Sequence, residues 1–359
     1  MARTRRRVST THPFVTRTSE YTYAPAWWVP GAHLRTLWGK LARRPPVVDT
    51  RVERWTAPDG DEIELRRVDA ASRSEGAAPP RLLVLHGLEG TIRSHYLLGT
   101  LAEAQRSGWA ADALIFRSCN GEVTRARRLY HSGETTDLDF VVRRLVREHP
   151  GQPLGLAGFS LGGNVLLKWL GERGADLPGE VIGAAAVSVP FDLERGSRFI
   201  ERGFKRVYTR HFLRTLRAKA RAKLARDPGL FDAAALDRAR TLFDFDDAVT
   251  APVHGFASAH DYYARSSSLG FLPAIRCPTL LLSAIDDPFL PSDVLTQVRE
   301  IARNNPNLHA EFHERGGHVG FVSGRSPFSP RYYAEERVLS FVRGCLERRT
   351  VPVHLPAPH

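Results

Sequence analysis

Gly158-Phe159-Ser160-Leu161-Gly162 constrains this chain more than any other five residues. An apolar run, Pro153 to Phe159, leads into it, and an amphipathic run, Gly162 to Gly171, leads away. That order reads as a buried strand, a tight turn with a serine at its apex, and a helix. A serine on so sharp a turn takes a strained backbone conformation that lifts its hydroxyl above the strand end. Side chains two residues to either side would collide, which is why glycine is needed at both positions. Gly163 adds a third small residue and lets the helix start close to the strand. The helix N-terminus lies beneath the serine and favours negative charge developing there. Ser160 is therefore the candidate nucleophile, on a strand-turn-helix elbow.

A serine of this kind needs a base, and an acid to orient the base, in the chain order serine, acid, histidine. Pro278 to Ile285 reads as a fully buried strand that ends in Asp286-Asp287-Pro288-Phe289-Leu290-Pro291. An acid at the C-terminal end of a parallel strand lies at the functional rim of an open sheet. Asp287 is the expected acid, because Pro288 and Pro291 hold the loop directly after it; Asp286 is the alternative, read as a turn or capping group. A further strand, Leu308 to His313, leads to Gly316-Gly317-His318-Val319-Gly320, where His318 is the expected base. Two backbone N–H donors should hold the developing oxyanion. Leu161, after the nucleophile, supplies one. Leu88 supplies the other, in the loop His86 to Gly90 after the strand Arg81 to Leu85. His86 reads as a histidine that orients this loop, and not as a base.

These segments resemble the YheT-like α/β-hydrolases, over about Pro25 to Phe341. The similarity is carried by Pro25-Ala26-Trp27-Trp28, Gly31 to Leu37, His86 to Gly90, Phe116 to Glu122, Arg128 to Gly133, the elbow through Asn164, Phe245-Asp246, Asp261-Tyr262-Tyr263, Asp286 to Phe289 and Gly316 to Phe321. The resemblance implies a Ser-Asp-His hydrolase of carboxylic esters, and by position it assigns the roles to Ser160, Asp287 and His318. His86, Phe159, Tyr130, His131, Phe289 and Val319 are the candidates for the substrate pocket. Many members of the family read Arg-Gly where this chain has Arg117-Ser118. Acyl transfer to an alcohol would use the same groups, whereas a ligand-binding module on this fold would have no need of all three.

The expected architecture is an α/β-hydrolase fold: a mostly parallel eight-stranded sheet covered by helices on both faces, with a helical lid insertion. Val52 to Trp55 and Ile63 to Val68 suggest an antiparallel opening pair. Strands and helices then alternate from 81 to 188, which argues a parallel sheet. Residues 190–275 break the pattern as a helical, basic and aromatic insertion, and the sheet resumes at 278. The expected division is a disordered basic N-terminus at 1–20, an arm packed on the body at 21–50, core at 51–189, lid at 190–275, core at 276–348 and a tail at 349–359. Asp137 and Asp139 read as surface or capping acids, Asn164 as bonded within the elbow helix, and Asp261-Tyr262-Tyr263 as docking the lid on the body.

Three widely spaced cysteines, Cys119, Cys277 and Cys345, match neither a disulfide framework nor a metal site and fit a reducing cytoplasm. No cofactor or metal is expected. The net charge of +12 comes almost wholly from arginine. Between Arg195 and Arg226, Glu201 is the only acid, and apolar residues recur at three- and four-residue steps. This reads as one or two basic amphipathic helices, with weak attraction to a membrane surface or an acidic substrate as the sharper alternative. No zinc-finger or RNA-binding signature suggests nucleic acid. The partner expected is a small, lipid-like ester, and the chain is expected to be a monomer.

Overall fold

The computed structural model describes residues 22–70 and 78–350. The basic N-terminus (1–20), most of the polar 71–80 segment and the tail from 351 lie outside the described residues. The first helix is α1 (Ala32–Leu41), followed by strands β1 (Arg51–Thr56), β2 (Glu62–Val68) and β3 (Arg81–Leu85). Helix and strand then alternate: α2 (His95–Arg106), β4 (Ala110–Ile115), α3 (Thr136–Glu148), β5 (Leu154–Phe159), α4 (Leu161–Arg173) and β6 (Val181–Val187). Six helices follow before the next strand: α5 (Leu193–Ile200), α6 (Arg206–Arg226), α7 (Ala233–Arg238), α8 (Leu242–Phe245), α9 (Ala251–His254) and α10 (Ala259–Ser266). The chain closes with β7 (Thr279–Ala284), α11 (Ser292–Asn304), β8 (Leu308–His313) and α12 (Tyr333–Thr350).

The eight strands form one sheet in the order β1-β2-β4-β3-β5-β6-β7-β8. β1 pairs antiparallel with β2, and β2 with β4; every later pairing is parallel. The central strands β3, β5, β6 and β7 are buried along their whole length, as parallel strands covered on both faces must be. Helices α2 and α12 pack together against one face; α4 packs with α3 and, through residues 268–274, with α11 against the other. Apolar side chains from the strands and these helices make one continuous core. The insertion between β6 and β7 has smaller apolar clusters of its own, one around Leu213, Phe231 and Phe245, another around Leu193, Tyr262 and Tyr263.

Parallel pairing points the C-terminal ends of β3 to β8 at one rim, and the backbone is least relaxed there. Six non-glycine residues have positive φ: Glu89, Ser118, Ser160, Ser188, Val319 and Phe321. All lie in segments that follow these strands. Non-glycine residues enter this region at a cost, and such strain gathers at functional sites. Ser118 sits at φ 62 and accepts the Thr124 N–H with its hydroxyl at 3.3 Å. Asp137 departs from expectation. It is buried and takes the Arg117 guanidinium at 2.6 and 2.8 Å, with Arg128 on the same carboxylate. It joins two loop arginines to α3 and is not a surface cap.

Candidate active site

β5 runs straight into the serine. Ser160 has φ 52 and ψ −120 and caps α4, which begins at Leu161. Its N–H donates to the Val187 carbonyl at 2.8 Å, tying the elbow to the end of β6. A Cβ at Gly162 would stand 2.4 Å from the His86 carbonyl oxygen, so only glycine lets α4 pass so close to the loop after β3. The Asn164 side chain does not bond within its own helix: its amide donates to the Ser132 and Ser266 carbonyls, both at 2.8 Å, and its oxygen accepts the Ser268 N–H at 2.9 Å. It sews the elbow helix to the loop before α3 and to the end of the insertion.

The structure brings Ser160, His318 and Asp287 together. The Ser160 hydroxyl donates to His318 Nε2 at 2.9 Å, and His318 Nδ1–H donates to Asp287 Oδ2 at 2.8 Å. The Asp287 side chain is 1% exposed and its second oxygen accepts the Phe289 N–H at 2.8 Å. Asp286 turns the other way. Its Oδ1 accepts the Gly316 and Gly317 amides at 2.7 and 2.8 Å, and its Oδ2 meets the Arg35 guanidinium at 3.2 Å. The next two amides are held as well, His318 N–H by the Thr36 hydroxyl at 2.9 Å and Val319 N–H by the Ser188 hydroxyl at 3.0 Å. Four consecutive amides of the histidine loop are therefore fixed by side chains from three other segments. Gly317 (φ 66) lies so close to α1 that a Cβ would sit 2.7 Å from the Ala32 carbonyl oxygen.

Above the nucleophile, neither the Leu88 nor the Leu161 N–H is taken by an acceptor among the described residues. The loop carrying Leu88 is braced from several sides. The Tyr96 hydroxyl accepts the Gly87 N–H at 2.8 Å. The Tyr130 hydroxyl accepts the Glu89 N–H at 3.0 Å and donates to the Glu89 carboxylate at 2.6 Å. Lys219, from α6 of the insertion, reaches the same carboxylate at 2.8 Å. His86 is buried beneath: Nδ1–H donates to the Gly87 carbonyl at 2.8 Å and Nε2 accepts the Phe116 N–H at 3.1 Å. Burial pushes it down to about 4, so it is neutral at pH 7 and orients the loop. On the insertion side, Phe289 stacks on the His318 ring at 4.2 Å, and Tyr208 of α6 packs on Phe289 at 4.7 Å.

A cavity of about 140 Å³ opens beside Ser160 and His318. Leu88, Leu161, Tyr130, His131 and Phe289 line it, as the sequence suggests. His86, Phe159 and Val319 do not: His86 and Phe159 are fully buried under the elbow, and Val319 contributes its amide to the Ser188 tie. Much of the wall belongs to the insertion, through Leu193, Ile200, Phe212, Leu216 and Phe245. One polar wall carries Asp246, in a single π-helical turn, Asp246–Thr250. Thr36, Ser188, Arg35, Lys219 and Asp246 carry no motif that points to these roles. The only sequence signal was indirect: Arg35 and Thr36 lie within Gly31 to Leu37, and Asp246 follows Phe245, in segments shared with similar chains.

The sequence pattern of the α/β hydrolase fold family matches residues 80–324, more than half of the chain. The candidate esterase YheT of Escherichia coli (strain K12) is 39% identical over 89% of this chain and 92% of its own length. The chain belongs to the YheT-like α/β-hydrolases. It is also similar to the phospholipase ABHD3 of Mus musculus, 30% identical over 91% of this chain and 79% of that protein. Among solved structures, the esterase Pf2001 of Pyrococcus furiosus superposes with a TM-score of 0.54 at 18% identity, covering 85% of this chain and 99% of that one, which speaks for the fold alone. Among the described residues no helix is long and apolar enough to cross a membrane.

Proposed function

We propose that the protein is a serine hydrolase that cleaves carboxylic esters through an acyl-enzyme. The observation that carries this reading is the unbroken hydrogen-bond chain from Asp287 through His318 to Ser160, ending beside two unspent amides. Ser160 Oγ attacks the ester carbonyl while His318 Nε2 takes its proton. Asp287 keeps the proton of the neutral imidazole on Nδ1 and stabilises the imidazolium that forms. The Leu88 and Leu161 amides hold the oxyanion, each typically worth about 10²–10³ in rate. His318 then returns the proton to the leaving alcohol, and a water activated by the same imidazole releases the acid.

The substrate is an ester with an apolar part, a reading supported by Leu193, Ile200, Leu216, Phe245 and Phe289 around the cavity. The exposed Phe204, just before basic α6, and Val207, in its first turn, support a lipid-like substrate met at an anionic surface. Three buried free thiols favour a reducing cytoplasmic compartment.

Hydrolysis of p-nitrophenyl butyrate tests the reading. Wild type is expected to turn it over, and Ser160→Ala to lose at least about 10⁴-fold in kcat. A Ser160→Ala enzyme that retains wild-type turnover would overturn it.

A further inference from the structure

The polar wall of the cavity contains an anion without a counter-ion. Asp246 opens onto the same space as Ser160 and is half-buried in the cavity wall. Oδ1 accepts the Thr250 hydroxyl at 2.6 Å and Oδ2 accepts the Tyr263 hydroxyl at 2.7 Å. A carboxylate offers about four acceptor positions, so two neutral donors leave half of that capacity unused. Among the described residues no arginine, lysine or histidine lies within ion-pair distance of it. Other enclosed carboxylates in this protein are treated differently. Asp112 sits between Arg67 and Arg81 at 3.0 and 2.8 Å, Asp137 faces Arg117 and Arg128, Glu335 faces Arg43, and Glu89 faces Lys219. These acids are paired with cations; Asp246, half-buried on the cavity wall, has none among the described residues.

Two further observations mark the place. Asp246 opens a π-helical turn, a local departure that is frequent at functional sites. Thr250, at the other end of that turn, points its hydroxyl back at the carboxylate and so fixes its orientation. Asp244 and Asp247 flank the carboxylate in the sequence. Burial pushes its carboxyl up to about 6, against the bonds from Thr250 and Tyr263, and it is still mostly ionised at pH 7.

We propose that Asp246 is the head-group site of this pocket and selects esters whose alcohol part carries a protonated amine. The inference rests on the ester-hydrolase reading. The substrate carbonyl sits at Ser160, the acyl chain lies among the leucines and phenylalanines, and the ammonium N–H donates to a free lone pair of Asp246. A carboxylate on the pocket wall without a counter-ion discriminates, because a neutral analogue displaces its water and offers no donor in return.

The test compares 2-(dimethylamino)ethyl butyrate, protonated at neutral pH, with its neutral isostere 3-methylbutyl butyrate. Wild type should prefer the cationic ester by about tenfold or more in kcat/KM, and in Asp246→Asn the ratio should fall toward one. A ratio of one in wild type, or one that Asp246→Asn leaves unchanged, overturns the proposal. A second measurement needs neither turnover nor a variant: slowing of fluorophosphonate labelling of wild type by the free alcohols. 2-(Dimethylamino)ethanol should protect at about tenfold lower concentration than 3-methylbutan-1-ol. Equal protection, or better protection by glycerol, overturns the cationic assignment. Failure of Ser160 to label at all would instead remove the hydrolase reading beneath it.

Discussion

Strands β3, β5, β6 and β7 are buried from end to end, whereas α6, the longest helix of the insertion, buries only Tyr208, Thr209, Leu213, Ala220 and Lys223 of its 21 residues. The sheet is held by continuous apolar contact. The insertion is held to it largely by discrete polar ties: Lys219 to Glu89, Lys223 to the Thr124 carbonyl, Asn164 to the Ser266 carbonyl, and the Ser132 N–H to the Tyr262 hydroxyl. The difference separates two tasks. The reacting groups hang from the rigid rim, where the backbone is strained and each amide of the histidine loop from 316 to 319 is fixed. The apolar side chains that line the cavity come mostly from the part with the smaller core. A scaffold of this kind can keep its chemistry while the insertion changes what enters.

The largest expected effect lies wholly on the rim and contrasts two adjacent acids. Asp287→Asn should lower kcat/KM by about 10⁴-fold with little change in thermal stability, because it disturbs the tautomer and charge of His318 and not the loop. Asp286→Ala should cost less in rate, about 10–10²-fold, but should lower Tm as well, since it frees two amides and leaves Arg35 without its partner. Kinetics and thermal melts of the two variants side by side separate orientation of the base from support of its loop. Equal effects of both variants on rate and Tm would erase the distinction.

A smaller effect is expected where the two regions meet. Lys219→Met removes the tie between α6 and the loop that carries Leu88, and leaves the Glu89 carboxylate with only the Tyr130 hydroxyl. It should lower kcat severalfold and stability by about 1–3 kcal/mol, the usual cost of a stranded buried charge. A variant with unchanged kcat but lowered stability would make this contact purely structural, and the insertion would then act on specificity alone.

The sheet was legible because its strands are short apolar runs bounded by turn residues, and Pro278 to Ile285 can hardly be anything else. The elbow, the acid at the end of that strand and the glycine-flanked His318 follow from local sterics and chain order, so they too could be read in advance. What could not be read depends on distant residues arriving at one point. Nothing in Thr36 or Arg35 foretells that α1 lies against the histidine loop 282 residues away. Ser188 looks like a polar end to an apolar strand, yet it holds the Val319 amide. Phe245-Asp246 stood out in the sequence as a segment, but only the cavity separates Asp246 from Asp244 and Asp247. Phe159 and Val319, next to Ser160 and His318, lie in the apolar core and not on the cavity wall.

The most direct test of the central claim is to treat the full chain with a fluorophosphonate, measure the intact mass and map the adduct by peptide fragmentation. One adduct per chain is expected, on Ser160, formed much more slowly in His318→Ala. An adduct on another residue, or labelling of Ser160 at an undiminished rate without His318, would contradict it.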